Sequence, residues 1–410
     1  VSAAREDLLG GASGVADDGP AAIAAALALA PAAGESDEAR DQRLMGAAVA
    51  LARSGTGATY PNPCVGAIVV QGGRVVGAGR SAPTGGPHAE VAALQMAGAA
   101  ARGATVYVTL EPCSHFGRTP PCTGALIAAG VAEVVVGATD PATHACGRGL
   151  ELLREAGLRV RAGVLADACR SAHEHYLHHE STRLPFVTLK IASSLDGQIA
   201  AGSGDSKWIT GEPARRLGHW LRARHHAIAV GADTVLRDDP ALSVRLVNGV
   251  DPVPVIFDSG LRVAGAVRRP QVLRPGTVVL HTGRAPAAAQ RAVDELGARR
   301  IEVEGDAEGR VDVAAALRAL GQLPLRSLLV EGGGQMIASF LAAAAWQRFY
   351  WFHAPLVLGE GRPAAAGLKV AAVADARRLQ PLLRAEVGVD GVTILGPPED
   401  PPASAAGRES

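Results

Sequence analysis

Apolar residues recur at helical spacing in Leu44, Ala47, Ala48 and Leu51, which predicts a helix over residues 40–53. The apolar block at 64–70 is continuous instead, and a second short block at 75–79 follows Gly72-Gly73. Two such runs around a Gly-Gly turn predict a β-hairpin. The pattern is helical over 88–98, becomes a β-branched strand over 104–110, and is helical again over 122–130, where a glycine closes it. Residues 133–137 read as a strand and 150–157 as a helix. Strands alternating with helices predict a layered α/β domain over 37–165.

Residues 166–184 are charged and His-rich and read as a connector. A second α/β run is expected over 185–396. Its buried strands are predicted at 186–192, 227–230, 253–257, 277–280 and 327–330, and its helices at 213–224, 311–320 and 335–345. Residues 1–36 are rich in Ala, Gly and acidic residues, with a short helical stretch at 21–30, and read as a flexible extension. Residues 397–410 are Pro-, Ala- and Ser-rich and read as a loose tail.

Composition narrows the function class. Of 410 residues, 48 % are hydrophobic and 20 % charged, a globular balance that excludes a wholly disordered chain. Forty basic residues balance forty acidic ones, so no global charge favours nucleic acid or an anionic membrane. Aromatics at 3 % are too sparse for a base-stacking platform. Five cysteines are too few for a disulfide scaffold and point to thiols or metal ligands in the cytoplasm. The most membrane-like stretch, 21–33, is shorter than a bilayer span and contains Pro31. Glu6, Asp7, Asp17 and Asp18 precede it, where a signal peptide would be basic.

Candidate chemistry concentrates in His88-Ala89-Glu90, Glu111-Pro112-Cys113 and Pro121-Cys122. One imidazole and two thiols match a catalytic zinc site, which keeps three protein ligands and one open position. Glu90 is not needed as a ligand, which leaves it to carry protons. H-x-E followed by P-C-x-x-C marks zinc deaminases, although here eight residues rather than two separate Cys113 from Cys122. His88 and Glu90 open one predicted helix and Cys122 another, and a helix N-terminus favours a thiolate. Singly, these are an ordinary surface histidine and two small core residues. The set in this order points to zinc.

The run Thr109-Leu110-Glu111-Pro112-Cys113-Ser114-His115-Phe116-Gly117-Arg118-Thr119-Pro120-Pro121-Cys122 resembles the deaminase half of the bifunctional riboflavin-biosynthesis deaminase/reductase family. So do Pro61-Asn62-Pro63, Val65-Gly66, and Gly147-Arg148-Gly149 after Asp140-Pro141. The long insert between the cysteines separates the run from cytidine, tRNA-adenosine and guanine deaminases. The resemblance implies a cytidine-deaminase-like layered α/β fold. It makes His88, Cys113 and Cys122 the Zn2+ ligands and Glu90 the catalytic proton carrier, and it puts Asn62 and Arg118 in the substrate pocket. A guanidinium at Arg118 suits a ribose 5-phosphate.

The second half lacks G-x-G-x-x-G. A predicted strand ending in Val330-Glu331 runs into Gly332-Gly333-Gly334 and then a helix, an arrangement that lets backbone N–H groups approach a phosphate. Leu189-Lys190, Ser194-Leu195-Asp196-Gly197, the 204–210 segment and 231–245 are similar to the reductase half of the same family. That half is dihydrofolate-reductase-like in fold. The resemblance implies NADPH near Ala192, Trp208, Thr234, Asp238, Ser259 and residues 333–339, which include Gly333, Gly334 and Gln335. It implies substrate near Ser206, Arg222, Leu242, Arg245 and Glu331, with Lys190, Asp238 and Glu331 assisting ring opening and hydride transfer.

The activity so implied is deamination of 2,5-diamino-6-ribosylamino-pyrimidin-4-one 5′-phosphate, then NADPH-dependent reduction of its ribosyl group to ribityl. The expected partner is that phosphorylated pyrimidine, with no nucleic acid and no membrane, in a homodimer or homotetramer. Departures from the family pattern are Asp140-Pro141-Ala142-Thr143 for Asp-Pro-Asn-Pro, a substitution near His173, Gln347-Arg348 for an acidic pair, and Leu356 for a lysine. They bear on domain and subunit contacts more than on the chemistry.

Three other features read as structural. His173, His175, His178 and His179 read as a solvated cluster in the connector. Cys64, Cys146 and Cys169 read as small buried hydrophobes. Asp205 and Glu212 beside Trp208 lack the setting of a glycosidase pair.

Overall fold

The structure, a computed structural model, describes residues 8–9, 19–32, 34–142 and 146–398. Most of the first 18 residues, Thr143 and the tail from 399 onward lie outside the described residues. The chain forms two compact units. One runs up to Pro185 and takes in 247–250 and 324–326; the other contains the rest.

The elements of the first unit are α1 (Gly19–Leu27), α2 (Asp37–Ser54), β1 (Gly66–Gln71), β2 (Arg74–Arg80), α3 (Ala89–Ala97), β3 (Thr105–Leu110), α4 (Cys122–Ala129), β4 (Glu133–Ala138), α5 (Arg148–Glu155), β5 (Arg159–Ala162), α6 (Ala166–Ala172) and α7 (Glu174–Thr182). Ser36 caps α2 by accepting from the Ala39 amide at 3.2 Å, and Asp37 and Glu38 sit in its first turn. The five strands run in the order β2-β1-β3-β4-β5, antiparallel over the first three and parallel over the rest. Alternate strand residues serve opposite faces. Ala67, Val69, Val106, Val108, Val134 and Val136 join Ala93, Leu126 and Leu153 in one core cluster. Ile68, Val70, Tyr107 and Val135 join Leu44, Met45, Ala48 and Cys169 in the other. The result is a three-layer α/β/α unit with both sheet faces covered.

Three expectations need correction here. Part of the expected flexible extension is helix α1, whose Ala26 is buried and whose Ala22 and Ile23 pack on the second core cluster. The expected connector forms α6 and α7, which belong to the first unit and pack through Cys169, Tyr176 and Leu177. The histidine cluster is therefore not solvated throughout. His173 and His179 are buried, His173 Nε2 meets Thr109 Oγ1 at 2.9 Å, and His175 Nδ1 meets the Tyr60 hydroxyl at 2.7 Å. Their apolar neighbours are interleaved with charged residues, so no helical stripe stands out in the sequence.

The second unit contains β6 (Phe186–Ser194), β7 (Gln198–Ala201), α8 (Glu212–Arg224), β8 (Ala227–Gly231), α9 (Ala232–Asp238), β9 (Val253–Phe257), β10 (Val278–His281), α10 (Ala287–Glu295), β11 (Arg299–Glu302), α11 (Val313–Gly321), β12 (Ser327–Val330), α12 (Gly334–Ala342), β13 (Arg348–Ala354), β14 (Gly361–Pro363), β15 (Gln380–Val387) and β16 (Asp390–Gly396). Nine strands run in the order β11-β10-β9-β8-β12-β6-β13-β16-β15. Those from β11 to β13 are parallel, and β16 and β15 add antiparallel pairs. The central strands β8, β12 and β6 are almost wholly buried, as a sheet covered on both faces requires. β7 and β14 form a separate two-stranded ribbon. The carboxyl ends of β8, β9 and β12 open onto one cavity, the usual place for a ligand in an open parallel sheet. Among the described residues, no helix is long and apolar enough to cross a membrane.

Candidate active sites

The first site is assembled by two helix starts and one strand end. His88 is the N-cap residue of α3, and Glu90 lies in that helix's first turn. Cys113 follows β3, and Cys122 is the first residue of α4. The ligand atoms of His88, Cys113 and Cys122 all lie within 4.8 Å of one another. His88 Nδ1 is 3.2 Å from Cys122 Sγ and 3.5 Å from Cys113 Sγ. The Cys122 backbone amide donates to Cys113 Sγ at 3.3 Å, a direct contribution of the α4 N-terminus to a thiolate. The Cys122 thiol beside it, then His88 and this amide, lower the Cys113 thiol to about 4 against the effect of burial, whereas the same sulfur neighbour and burial push Cys122 up. A soft, compact imidazole–dithiol set of this kind fits zinc.

Glu90 is 3 % exposed. Burial pushes its carboxyl up to about 7, where it exchanges protons at neutral pH. The loop joining the ligands is anchored from behind. Glu111 accepts from the amides of Asp140, Gly147 and Gly149 at 3.3, 3.1 and 3.0 Å. Thr119 Oγ1 meets His88 Nε2 at 3.3 Å. Neither role is marked by residue type or spacing in the sequence. Glu111 stands in the Glu-Pro-Cys run without a mark of its own, and Thr119 becomes a neighbour of His88 only through the loop's fold. Asn62 is exposed, with its amide bonded to Thr59 O at 3.0 Å. Arg118 is exposed in the loop between the two cysteines. Of the remaining cysteines, Cys64 and Cys169 are buried as expected, but Cys146 is exposed. It stands just before Gly147, in a turn that no apolar pattern marks.

The second site is a cavity of about 920 Å³ in the second unit. Lys190, Ala192, Ser206, Thr234, Asp238, Ser259, Glu331, Gly333, Gly334 and Gln335 all line it, so most of the expected reductase residues are brought together. Four are not among its lining. Trp208 is 73 % exposed, with Arg215 stacked 4.6 Å from its ring centre. Leu242 is buried in a left-handed conformation (φ +52°). Arg245 is exposed and bonded to Ser243 Oγ at 2.9 Å. Arg222, from the last turn of α8, makes a bidentate pair with Glu331, both contacts at 2.8 Å.

That pair governs the electrostatics. Burial opposes ionisation of Glu331, yet Arg222 and Lys190 hold its carboxyl down to about 2. Burial lowers the Lys190 ammonium, which lies 5.6 Å from the Phe352 ring centre, with Glu331 partly opposing. The three glycines before α12 do different work. A Cβ on Gly332 would press into the Met336 side chain, and one on Gly334 would overlap the Pro363 carbonyl, whereas Gly333 has no heavy atom in the way. Only Gly333 therefore offers an open backbone approach. Six cationic side chains line the cavity (Lys190, Arg237, Arg262, Arg284, Arg310 and Arg362) against the carboxylates of Asp233, Asp238 and Glu331. This excess of positive charge, beside an open glycine at a helix N-terminus, fits a phosphate-bearing dinucleotide.

Two family models match the chain. "Cytidine and deoxycytidylate deaminase zinc-binding region" covers residues 38–138, and "RibD C-terminal domain" covers 185–385. The riboflavin biosynthesis protein RibD of Aquifex aeolicus is 41 % identical over 322 residues, 78 % of this chain and 88 % of that protein. The Escherichia coli protein of the same name is 39 % identical over 333 residues, 78 % of this chain and 89 % of its own length. Among solved structures, Acinetobacter baumannii RibD aligns with a TM-score of 0.79 at 34 % identity, covering 88 % of this chain and 100 % of that one. A Thermotoga maritima diaminohydroxyphosphoribosylaminopyrimidine deaminase/5-amino-6-(5-phosphoribosylamino)uracil reductase aligns with a TM-score of 0.77 at 32 % identity, with the same coverages.

Proposed function

The chain belongs to the RibD family of riboflavin-biosynthesis proteins, and on that premise we propose that its two units carry out consecutive steps on one substrate. The first unit is a zinc-dependent deaminase and the second an NADPH-dependent reductase. The substrate of the first step is 2,5-diamino-6-ribosylamino-pyrimidin-4-one 5′-phosphate. The product of the second is 5-amino-6-ribitylamino-uracil 5′-phosphate.

The observation that carries the reading is the His88, Cys113 and Cys122 cluster with a buried Glu90 in the helix turn beside it. The three side chains would hold zinc, which supplies Lewis acidity for the activation of water. Glu90 accepts a proton from the attacking water and returns it to the departing amine, so that the amino group leaves as ammonia. Asn62 and Arg118 bind the base and the ribose phosphate. In the second unit, Gly333 offers its amide side to the cofactor pyrophosphate. Ala192, Thr234, Ser259, Gly334 and Gln335 line the cofactor's course, and Trp208 covers it. Ser206, Leu242 and Arg245 take the substrate. Lys190, Asp238 and Glu331 assist ring opening and hydride transfer, and Arg222 keeps Glu331 anionic beside the ammonium of Lys190.

The catalytic domains are taken as 37–165 and 185–396, in a cytoplasmic homodimer or homotetramer. Light scattering on the purified chain checks the assembly. The functional test supplies the diamino-pyrimidinone ribosyl phosphate and follows ammonia and NADPH absorbance together. Ammonia is expected without NADPH, followed by NADPH loss in matching amount once it is added. No ammonia from zinc-replete protein would overturn the deaminase assignment.

A further inference from the structure

The cofactor cavity holds more positive charge than its own ion pairs consume. Arg262 is engaged by Asp233 at 2.9 Å and lies 3.7 Å from Asp258. Arg310 is engaged by Asp306 and Glu308 at 2.8 and 3.1 Å. Arg284 differs. Among the described residues it has no carboxylate partner, and its hydrogen bond goes to the Glu308 backbone carbonyl at 3.3 Å. Its guanidinium lies against Gly309, whose φ of +75° suits glycine and where a Cβ would overlap the guanidinium. The head group is thus seated on the cavity wall with its charge unspent.

The surroundings of Arg284 point to a phosphate monoester. It follows β10, next to the end of β9, and the two loops are tied by the Thr282 amide and hydroxyl donating to Ser259 O, both at 3.1 Å. Ser259 Oγ accepts from the Val311 amide at 3.0 Å, which leaves its own proton to give away. Neither nearby carboxylate is offered to the cavity: Asp258 leaves one oxygen without a hydrogen bond among the described residues but is 1 % exposed and off the cavity lining. Asp258 accepts from the Val263 amide at 2.8 Å, and Asp233 pairs with Arg262. A free ribose 2′-hydroxyl calls for a carboxylate acceptor, whereas a 2′-phosphate calls for an arginine.

Position agrees with chemistry. Lys190 lies on β6, and β10 is four strands away in the sheet order, which is about 19 Å at about 4.8 Å per strand. A dinucleotide with its reacting ring near Lys190 and Glu331 and its pyrophosphate at Gly333 carries its adenosine half toward β9 and β10. We propose that Arg284, with Ser259, binds the 2′-phosphate of the reductase cofactor and is the residue that selects NADPH over NADH. The proposal rests on the reductase reading above.

The test is calorimetric titration of the full chain with NADPH, NADH, 2′,5′-ADP and 5′-ADP, none of which requires turnover. Arg284→Ala should weaken NADPH and 2′,5′-ADP by about 10- to 100-fold, the range for a lost charged hydrogen bond. NADH and 5′-ADP should shift by less than about twofold, because the variant loses only a phosphate contact. Arg284→Lys should restore part of the loss, which a folding defect would not allow. Equal weakening of all four ligands, unchanged NADPH affinity, or transfer of the discrimination to Arg237→Ala would overturn the assignment. Wild-type chain that binds neither dinucleotide would overturn the reductase reading and this proposal with it.

Discussion

Replacing Arg222 by Met keeps most of the side-chain bulk and removes the charge that faces Glu331. The two side chains are only 16 % and 11 % exposed, so solvent screens the pair weakly. Glu331 has its pKa depressed from 4.5 to about 2 in the folded protein. At about 1.36 kcal/mol per pH unit, that corresponds to about 3 kcal/mol of stability at neutral pH. Lys190 supplies part of this, so Arg222→Met should cost about 2–3 kcal/mol, just below the range for breaking a buried pair. A group with a depressed folded pKa stabilises fully above its unfolded value and loses that contribution as pH falls toward the folded one. The wild-type chain should therefore give up about 1 kcal/mol of this contribution between pH 7 and about pH 3.5. A Glu331→Gln variant should not. The assay is specific because all four tryptophans (Trp208, Trp220, Trp346 and Trp351) lie in the second unit. Urea unfolding followed by tryptophan fluorescence reports that unit alone. An Arg222→Met cost below about 1 kcal/mol, the size of a surface pair, would refute the reasoning. So would wild-type pH dependence in Glu331→Gln.

Three further outcomes are expected. Glu90→Gln should lower ammonia release by about 10²- to 10⁴-fold, with zinc content by metal analysis and NADPH oxidation on the deaminated substrate both unchanged. Chelation should abolish ammonia release but spare NADPH oxidation on that same substrate, and added zinc should restore the first activity. Gly334→Ala should destabilise the second unit by about 1–3 kcal/mol, because its Cβ overlaps the Pro363 carbonyl. Gly333→Ala, whose Cβ meets no protein atom, should leave the tryptophan-detected midpoint in place and weaken NADPH in a binding titration.

The zinc cluster was legible in the sequence because its chemistry is carried by residue types at short spacings: His88 and Glu90 two apart, Cys113 and Cys122 flanking a fixed insert. The five buried strands of the second unit were legible for a related reason, since fully covered parallel strands read as unbroken apolar runs. Edge strands were not. β11 exposes both its ends and buries none of its four residues fully, and β15 exposes alternate residues over its second half, so Arg299-Arg300 and Arg384-Ala385-Glu386 look like loop. β13 is a different case: its aromatic run Phe349-Tyr350-Trp351-Phe352 is a strand signal, but Arg348 and His353 bracket it and shorten the apolar stretch. The pairing of Arg222 with Glu331 joins residues 109 apart, and Leu242 owes its place to a positive φ. Neither follows from spacing or composition. Arg284 was invisible for the same reason: a single arginine in a loop acquires meaning only when the sheet order shows where it stands.

The three amides gathered by Glu111 bear on how the metal centre comes into being. In small zinc domains, ligand groups are scattered until the ion collects them, so metal affinity and folding are one quantity. Here the residue two positions before Cys113 is locked to the loop after β4 and to the start of α5 by bonds that involve no ligand atom. The ordering entropy of the ligand loop is thus met by the polypeptide itself. An ion would then meet a site whose Cys113 side is already fixed, and its loss should leave that side standing. Selection among competing cations then falls to the softness and spacing of one imidazole and two thiolates, and a lost ion can be replaced without the unit unfolding.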